Sequence, residues 1–105
     1  MARVTVRLYG AFSDFAGGAR SAQVEAGAVG EALDALAVAH PALRERLRDE
    51  RCALREHLNV FANAEEIRFL DGERTALRDG DVVHVMPAVS GGSGLLVQRP
   101  GDLAS

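Results

Sequence analysis

The chain has 105 residues, nearly half of them hydrophobic, and carries a formal net charge of -3 at pH 7. This size and composition predict one globular domain, and the charge gives no reason to expect nucleic acid or an anionic membrane as a partner. A single cysteine excludes an internal disulfide, and the lack of a signal peptide or apolar run leads us to expect a cytoplasmic protein.

The first quarter of the chain reads as a β-hairpin. Val4, Val6 and Leu8 alternate with polar residues, which predicts a half-buried first strand. Phe12 to Ala19 is predicted to be the connecting loop, and Arg20 to Glu25 the second strand of the hairpin.

A helix follows, because apolar residues now recur at helical spacing. The residues expected on its buried face are Val29, Leu33, Leu36, Ala37 and His40. Pro41 ends this helix and suits the first position of a short second one, in which Leu43 and Leu47 face inward.

The second half of the chain returns to strands. Asp49 to His57 is highly charged and is expected to be irregular or to form one further turn. Leu58 to Ala62 alternates as a third strand, followed by a polar turn at Asn63 to Glu66, and Ile67 to Leu70 is predicted to add a short strand.

The last predicted strand leads into a thin segment. The turn Asp79-Gly80-Asp81 precedes the strand Val82 to Met86, Pro87 ends it, and the chain then runs to Gly91-Gly92. Strand, strand, helix and further strands in about 90 residues predict an α+β domain, with one main helix packed on a mixed four- to five-stranded sheet.

The closing run resembles that of a known family. Leu77 to Gly92 reads Leu-x-Asp-Gly-Asp-x-Val-x-x-x-Pro-x-x-x-Gly-Gly, and Val4 to Gly10 and Asn59 to Asn63 match two further family stretches. Together with the order of elements, they make residues 2–92 similar to the ubiquitin-like β-grasp sulfur carriers of the MoaD/ThiS family. The Pro-Ala-Val-Ser-Gly-Gly ending resembles most the branch that serves cysteine synthesis or specialised metabolism.

The resemblance implies a role for Gly92. A partner adenylyltransferase and sulfurtransferase of the ubiquitin-activating type would use ATP to adenylate the Gly92 carboxylate, and a sulfur donor would then displace AMP to leave a thiocarboxylate. Ser90 and Gly91 would form the thin approach, and Pro87 would direct it away from the sheet. The carrier would be a protein cosubstrate with no catalytic residue, bound cofactor or metal of its own.

The pathway and the role itself remain open at this point. The sulfur-accepting enzyme implied by the resemblance would belong to a cysteine, thio-metabolite or thiamin-type pathway. The alternatives are the small subunit of molybdopterin synthase, and a ubiquitin-like interaction domain that carries no sulfur and whose Gly-Gly pair is vestigial.

A docking surface is predicted from the alternation within strands. If Val83 and Val85 face the core, the last strand's other residues face outward, next to an outward residue of the third strand. The residues predicted to form this surface are Phe61, Val82, His84 and Met86. Such a group is apolar enough to contact a partner, although single apolar residues on a sheet surface are also ordinary.

Other residue types offer weaker sites. Cys52 lies in a charged segment and reads as an incidental thiol, and the histidines have no metal-ligand spacing. No phosphate-binding glycine loop precedes a helix, so ATP is expected to bind the partner enzyme.

The segment Ser93 to Ser105 separates this chain from the usual family pattern, since it locks the Gly92 carboxylate in a peptide bond. Three interpretations are open: a proform cut by a peptidase between Gly92 and Ser93, a segment added for recombinant expression, or a carrier fold that has lost carriage. The first predicts a carrier domain at 1–92 and a flexible extension at 93–105 that is removed on maturation.

Overall fold

The structure is a computed structural model, and it describes residues 1–56 and 58–87. Five strands and three α-helices follow one another in these ranges, joined by 3-10 turns. In chain order they are β1 (Ala2–Leu8), α1 (Ala11–Phe15), β2 (Ser21–Ala26), α2 (Val29–Ala39), α3 (Arg44–Leu47), β3 (Leu58–Ala62), β4 (Glu65–Glu66) and β5 (Val82–Pro87), with 3-10 turns at Pro41–Leu43, Ile67–Phe69 and Gly72–Arg74.

The strands form one mixed sheet in the order β2-β1-β5-β3-β4. The central pair, β1 and β5, is parallel, and the other neighbours are antiparallel. The two ends of the described chain thus meet in the middle of the sheet. The α+β class and the mixed sheet predicted from the sequence are confirmed.

The core lies between one face of the sheet and α2. Alternate strand residues are removed from solvent on that face, as the period of two requires. The largest fully buried side chains are Leu33, Leu36, Leu43, Leu47, Val4, Val6, Val29, Val83 and Val85. Full burial of each contributes about 1.5–3 kcal/mol of hydrophobic stabilisation.

The predicted helical face is confirmed at its centre and wrong at its C-terminal end. Val29, Leu33 and Leu36 are buried, whereas Ala37 and His40 are only partly buried. The helix ends at Ala39 and the chain turns into Pro41–Leu43, so the last turn of α2 leaves the sheet. Leu43 and Leu47 then return to the core, as predicted.

The prediction of a loop at Phe12 to Ala19 is wrong at its start, because Ala11–Phe15 form a helical turn, α1. Phe12 is 8% exposed and packs into the core, and the backbone N–H of Ser13 donates to the carbonyl oxygen of Gly10 at 3.1 Å. Burial of one aromatic ring stabilises this turn, and five residues are too few to show a helical period in sequence.

The prediction of a short strand at Ile67 to Leu70 is also wrong, because the short strand of the structure, β4, lies earlier, at Glu65–Glu66. Asn63 adopts a φ of +57°, so the chain reverses in two residues and Glu65–Glu66 pairs with β3 within the predicted polar turn. Ile67 then bends into the core as a 3-10 turn and is 5% exposed. Asparagine tolerates this left-handed conformation better than most residues.

The segment 48–54 is tied to the rest of the domain through Arg48. The Arg48 guanidinium donates to Asp34 at 3.0 Å, to Glu73 at 2.6 Å and to the carbonyl oxygen of Cys52 at 2.8 Å. Only 17% of the Arg48 side chain is exposed. The hydrogen bond to Glu73 is the main reason why the pKa of Arg48 is raised. Residues 49–56 form no helix, in agreement with the irregular segment predicted there.

Candidate functional site

The four residues of the predicted docking surface lie together on the sheet face opposite the core. Val83 and Val85 are fully buried, so Val82, His84 and Met86 lie on the outer face of β5, as predicted. In the antiparallel pair with β3, His84 is opposite Phe61. These four residues are called the outer patch below.

The outer patch is less exposed than the sequence suggests. Each of its side chains is partly rather than fully exposed, since neighbouring strands cover them from both sides. The docking role of the outer patch stays a prediction.

His84 of the outer patch forms a polar pair with Tyr9, a neighbour of the patch. The Tyr9 hydroxyl and His84 Nδ1 are 2.8 Å apart, and the two ring centroids lie 5.8 Å apart. Tyr9 follows β1 directly, and the parallel pairing places Arg7 of β1 opposite His84. Neither Tyr9 nor Arg7 is among the site residues predicted from the sequence. The alternation along β1 indicates the outward position of Arg7, whereas nothing local to Tyr9 reveals a bond spanning 75 residues.

The electrostatic surroundings favour a neutral His84. Burial lowers the pKa of His84 below its ordinary value of 6.5, and the positive charge of Arg7 lowers it further. Both effects disfavour the charged imidazolium. The outer patch therefore carries an uncharged histidine at neutral pH.

The last described residue of β5 lies beside Gly10. Pro87, the last residue of β5, is opposite Leu58 in the pairing with β3, so the strand includes the proline and is one residue longer than predicted. Gly10 has a φ of +59°, and a Cβ added to it would lie 3.1 Å from Pro87 Cγ. The backbone N–H of Tyr9 donates to the carbonyl oxygen of Val85 at 3.1 Å and holds the two chain segments together.

The remaining predicted tail residues, Ser90, Gly91, Gly92 and Ser93, lie outside the described residues. Their roles in sulfur carriage and processing stay predictions. The described structure fixes only the start of the path, at Pro87.

The other sequence candidates supply no second site. Cys52 is exposed and adopts a φ of +65° in the turn that follows Asp49. Within residues 1–56 and 58–87, no group of three or more histidine, cysteine or acidic side chains is arranged to hold a metal ion. In the same ranges, no helix has the length and apolar character that a membrane crossing requires.

Helix α2 across a mixed sheet, with parallel β1 and β5 at its centre, defines the ubiquitin-like β-grasp class. Within this class, a last strand that runs to a Gly-Gly pair is typical of carriers that use their C-terminal carboxylate. The chain belongs to the ThiS family, which matches residues 6–92, and it is a sulfur carrier protein.

Three comparisons support this assignment. The sulfur carrier protein CysO of Mycobacterium tuberculosis is 33% identical over 91 residues, which are 85% of this chain and 98% of that protein. The crystal structure of small archaeal modifier protein 1 from Haloferax volcanii has a TM-score of 0.76 at 33% identity and covers 85% of this chain and 100% of that one. A chain in the crystal structure of the Amycolatopsis orientalis BexX/CysO complex has a TM-score of 0.75 at 32% identity, covering 85% of this chain and 99% of its own.

Proposed function

We propose that this carrier bears its sulfur on Gly92 as a thiocarboxylate, after a peptidase has removed residues 93–105. The observation that carries the proposal is the extent of the family match, which begins at residue 6 and stops at residue 92. The Gly-Gly pair thus closes the matched region, and the residues after it lie outside that region.

The chemistry needs an activated carboxyl group. A carboxylate is a poor electrophile, so a partner enzyme of the ubiquitin-activating type consumes ATP to form an acyl-adenylate at Gly92. Hydrosulfide released by a sulfur donor attacks this carbonyl carbon, the bond to AMP breaks, and the C–S bond that forms gives the thiocarboxylate. The sulfur is anionic at neutral pH and reacts as a nucleophile without a neighbouring base.

The carrier contributes shape and docking rather than catalysis. Gly91 and Gly92 have no side chains, so they fit a channel too narrow for most other dipeptides. Partners contact the outer patch, while the enzyme that receives the tail supplies the positioning and the charge stabilisation. On this account ATP is bound by the partner, and the carrier holds no cofactor.

The receiving partner is a sulfur-accepting biosynthetic enzyme of a cysteine, thio-metabolite or thiamin-type pathway. The likeness to CysO proteins, one of them in complex with BexX, supports this choice over the small subunit of molybdopterin synthase. The pathway enzymes work in the cytoplasm, where ATP and the activating enzyme are present.

Intact-protein mass spectrometry on the carrier recovered from its native host tests the proposal. The expected species ends at Gly92 and is heavier than the free acid by the mass difference between sulfur and oxygen. If only the full 105-residue mass is found while the pathway is active, the proposal is wrong and the fold serves as an interaction domain.

A second function is favoured by the likeness to an archaeal modifier protein. The same activated Gly92 carboxyl group could be joined to an amine of another protein. Conjugates of higher mass that contain the sequence up to Gly92 would support attachment, whereas a free thiocarboxylate alone would support sulfur transfer.

A further inference from the structure

His84 of the outer patch and the adjacent Tyr9 form a polar pair that apolar docking alone does not use. Tyr9 and His84 are both partly buried, and their bond of 2.8 Å joins the end of β1 to the middle of β5. A partner that covers this patch removes both groups from water. Their remaining hydrogen-bonding capacity then has to be satisfied across the interface, because unsatisfied buried polar groups are costly.

The protonation of the pair follows from its surroundings. Arg7, on the adjacent strand, disfavours the charged imidazolium, so the ring is neutral and has one donor and one acceptor nitrogen. The 2.8 Å distance between the Tyr9 hydroxyl and Nδ1 allows either direction of donation; donation by Tyr9 places the ring proton on Nε2, and this is the tautomer that leaves a donor for a partner. Among the described residues, Nε2 of His84 has no hydrogen-bond partner.

The charges around His84 leave one cation uncompensated among the described residues. On β1, Arg3 forms an ion pair with Glu25 at 3.9 Å, whereas Arg7 has no such pair within the described ranges. On the other side, Phe61 is uncharged, and Glu66 opposite it is paired with Arg68 at 3.6 Å. Two donors, Nε2–H and the guanidinium, therefore lie on adjacent strands.

We propose that Tyr9 is a positioning residue for docking, which holds His84 so that its Nε2–H and the Arg7 guanidinium together receive a carboxylate of the partner. The partner is thus a protein surface with an apolar centre and one acidic side chain at the position facing these two donors. A carboxylate suits the site because its two oxygens accept from both groups and its charge complements Arg7. This inference rests on the proposed function, since it concerns the surface that the activating enzyme contacts.

The first test is nitrogen NMR of the uniformly labelled full chain. We expect the His84 ring to be the Nε2–H tautomer, with a pKa below 6.5. Tyr9→Phe removes the donor to Nδ1, so the pKa of His84 should rise and the two tautomers should mix. A wild-type ring protonated on Nδ1, or a Tyr9→Phe spectrum with the wild-type tautomer and pKa, would overturn the assignment.

The second test measures competition for the activating enzyme in the native host. Each variant is produced together with an equal amount of wild type, the thiocarboxylate sulfur is alkylated with iodoacetamide, and mass spectrometry gives the ratio of the alkylated Gly92 thiocarboxylates. Alkylation is needed because Tyr9→Phe removes one oxygen, which otherwise gives its thiocarboxylate nearly the mass of the wild-type free acid. Tyr9→Phe and Arg7→Gln should load about fivefold less than wild type. Arg3→Gln is the matched control, since it removes a cation from the same face of β1, and it should load as wild type does.

The outcomes separate the two proposals. A wild type that never carries a thiocarboxylate refutes the proposed function, and this inference with it. If the wild type carries a thiocarboxylate and Tyr9→Phe and Arg7→Gln are both loaded as well as the wild type, only the inference is refuted. Equal losses in all three variants also refute it, because the charge of the face would then matter without the Tyr9–His84 pair.

Discussion

Replacement of Gly10 by alanine tests how the fold sets the start of the tail. Gly10 has φ +59° and ψ -136°, a combination that residues with a Cβ rarely adopt. The added methyl carbon would also lie 3.1 Å from Cγ and 3.4 Å from Cδ of Pro87. The substitution therefore strains the backbone after β1 and pushes against the last residue of β5.

The magnitude follows from these two effects. A residue held in such a backbone region costs about 1–3 kcal/mol. The contact with Pro87 is tighter than an ordinary van der Waals contact and is relieved by a shift of the proline ring. We expect Gly10→Ala to lower the free energy of unfolding by about 2–3 kcal/mol, which leaves a folded domain because small domains have about 5–15 kcal/mol in total.

Urea unfolding of the wild type and four variants separates the effects. Gly72→Ala is the control, since Gly72 also has φ +59° but a Cβ there would meet nothing within 4 Å, and it should lose about 1 kcal/mol. Pro87→Ala alone and in combination with Gly10→Ala completes a double-mutant cycle, with an expected coupling of about 0.5–1 kcal/mol. A Gly10→Ala protein as stable as wild type, or a cycle without coupling, would refute this account.

Three further outcomes are expected. Arg48→Met should lower the free energy of unfolding by about 2 kcal/mol in a urea titration, because the charged hydrogen bonds to Glu73 and Asp34 are lost. The loss is limited because both carboxylates keep partial access to water. An unchanged urea midpoint would contradict this. Cys52→Asn should leave loading at Gly92 unchanged by mass spectrometry, since asparagine tolerates the φ of +65° and the thiol has no assigned role; lost loading would reveal one. Because the pKa of His84 is lowered, the unfolded chain binds a proton at this residue more readily than the folded protein does, so the contribution of His84 to stability is complete above pH 6.5 and is lost as the pH falls through the folded-state pKa. The free energy of unfolding of wild type relative to His84→Gln should therefore fall below pH 6.5. A relative free energy that does not change with pH would refute the shift.

Much of the fold could be predicted because its strands follow strict alternation. On β5, Val83 and Val85 are fully buried and His84 lies between them on the other face, as the period of two requires. The same rule located Phe61 beside them once β3 was recognised. Alternation assigns side chains to faces without any knowledge of distant contacts, which explains why the sequence could place these four residues on one face, while their role in docking stays a prediction.

The elements that were predicted wrongly depend on contacts distant in sequence. Phe12 forms a helical turn because it reaches the core, and the β4 pairing depends on a left-handed Asn63, neither of which a short window reveals. The Tyr9–His84 bond is a stronger case, since its partners belong to opposite ends of the chain. The sequence could indicate that each residue faces outward, but only the strand order brings them together.

The parallel pairing of β1 and β5 links the docking surface to the tail. Parallel strands end at the same edge of a sheet, so Gly10 at the end of β1 meets Pro87 at the end of β5. Tyr9, one residue earlier, reaches back onto the outer face to bond His84. On the proposed function, a partner that recognises the Tyr9–His84 pair is thereby placed close to Pro87, the last described residue, after which the sequence runs on to Gly92. On the proposed function, Gly10→Ala should therefore impair loading of Gly92 even in protein that remains folded, because it displaces Pro87 from the outer patch.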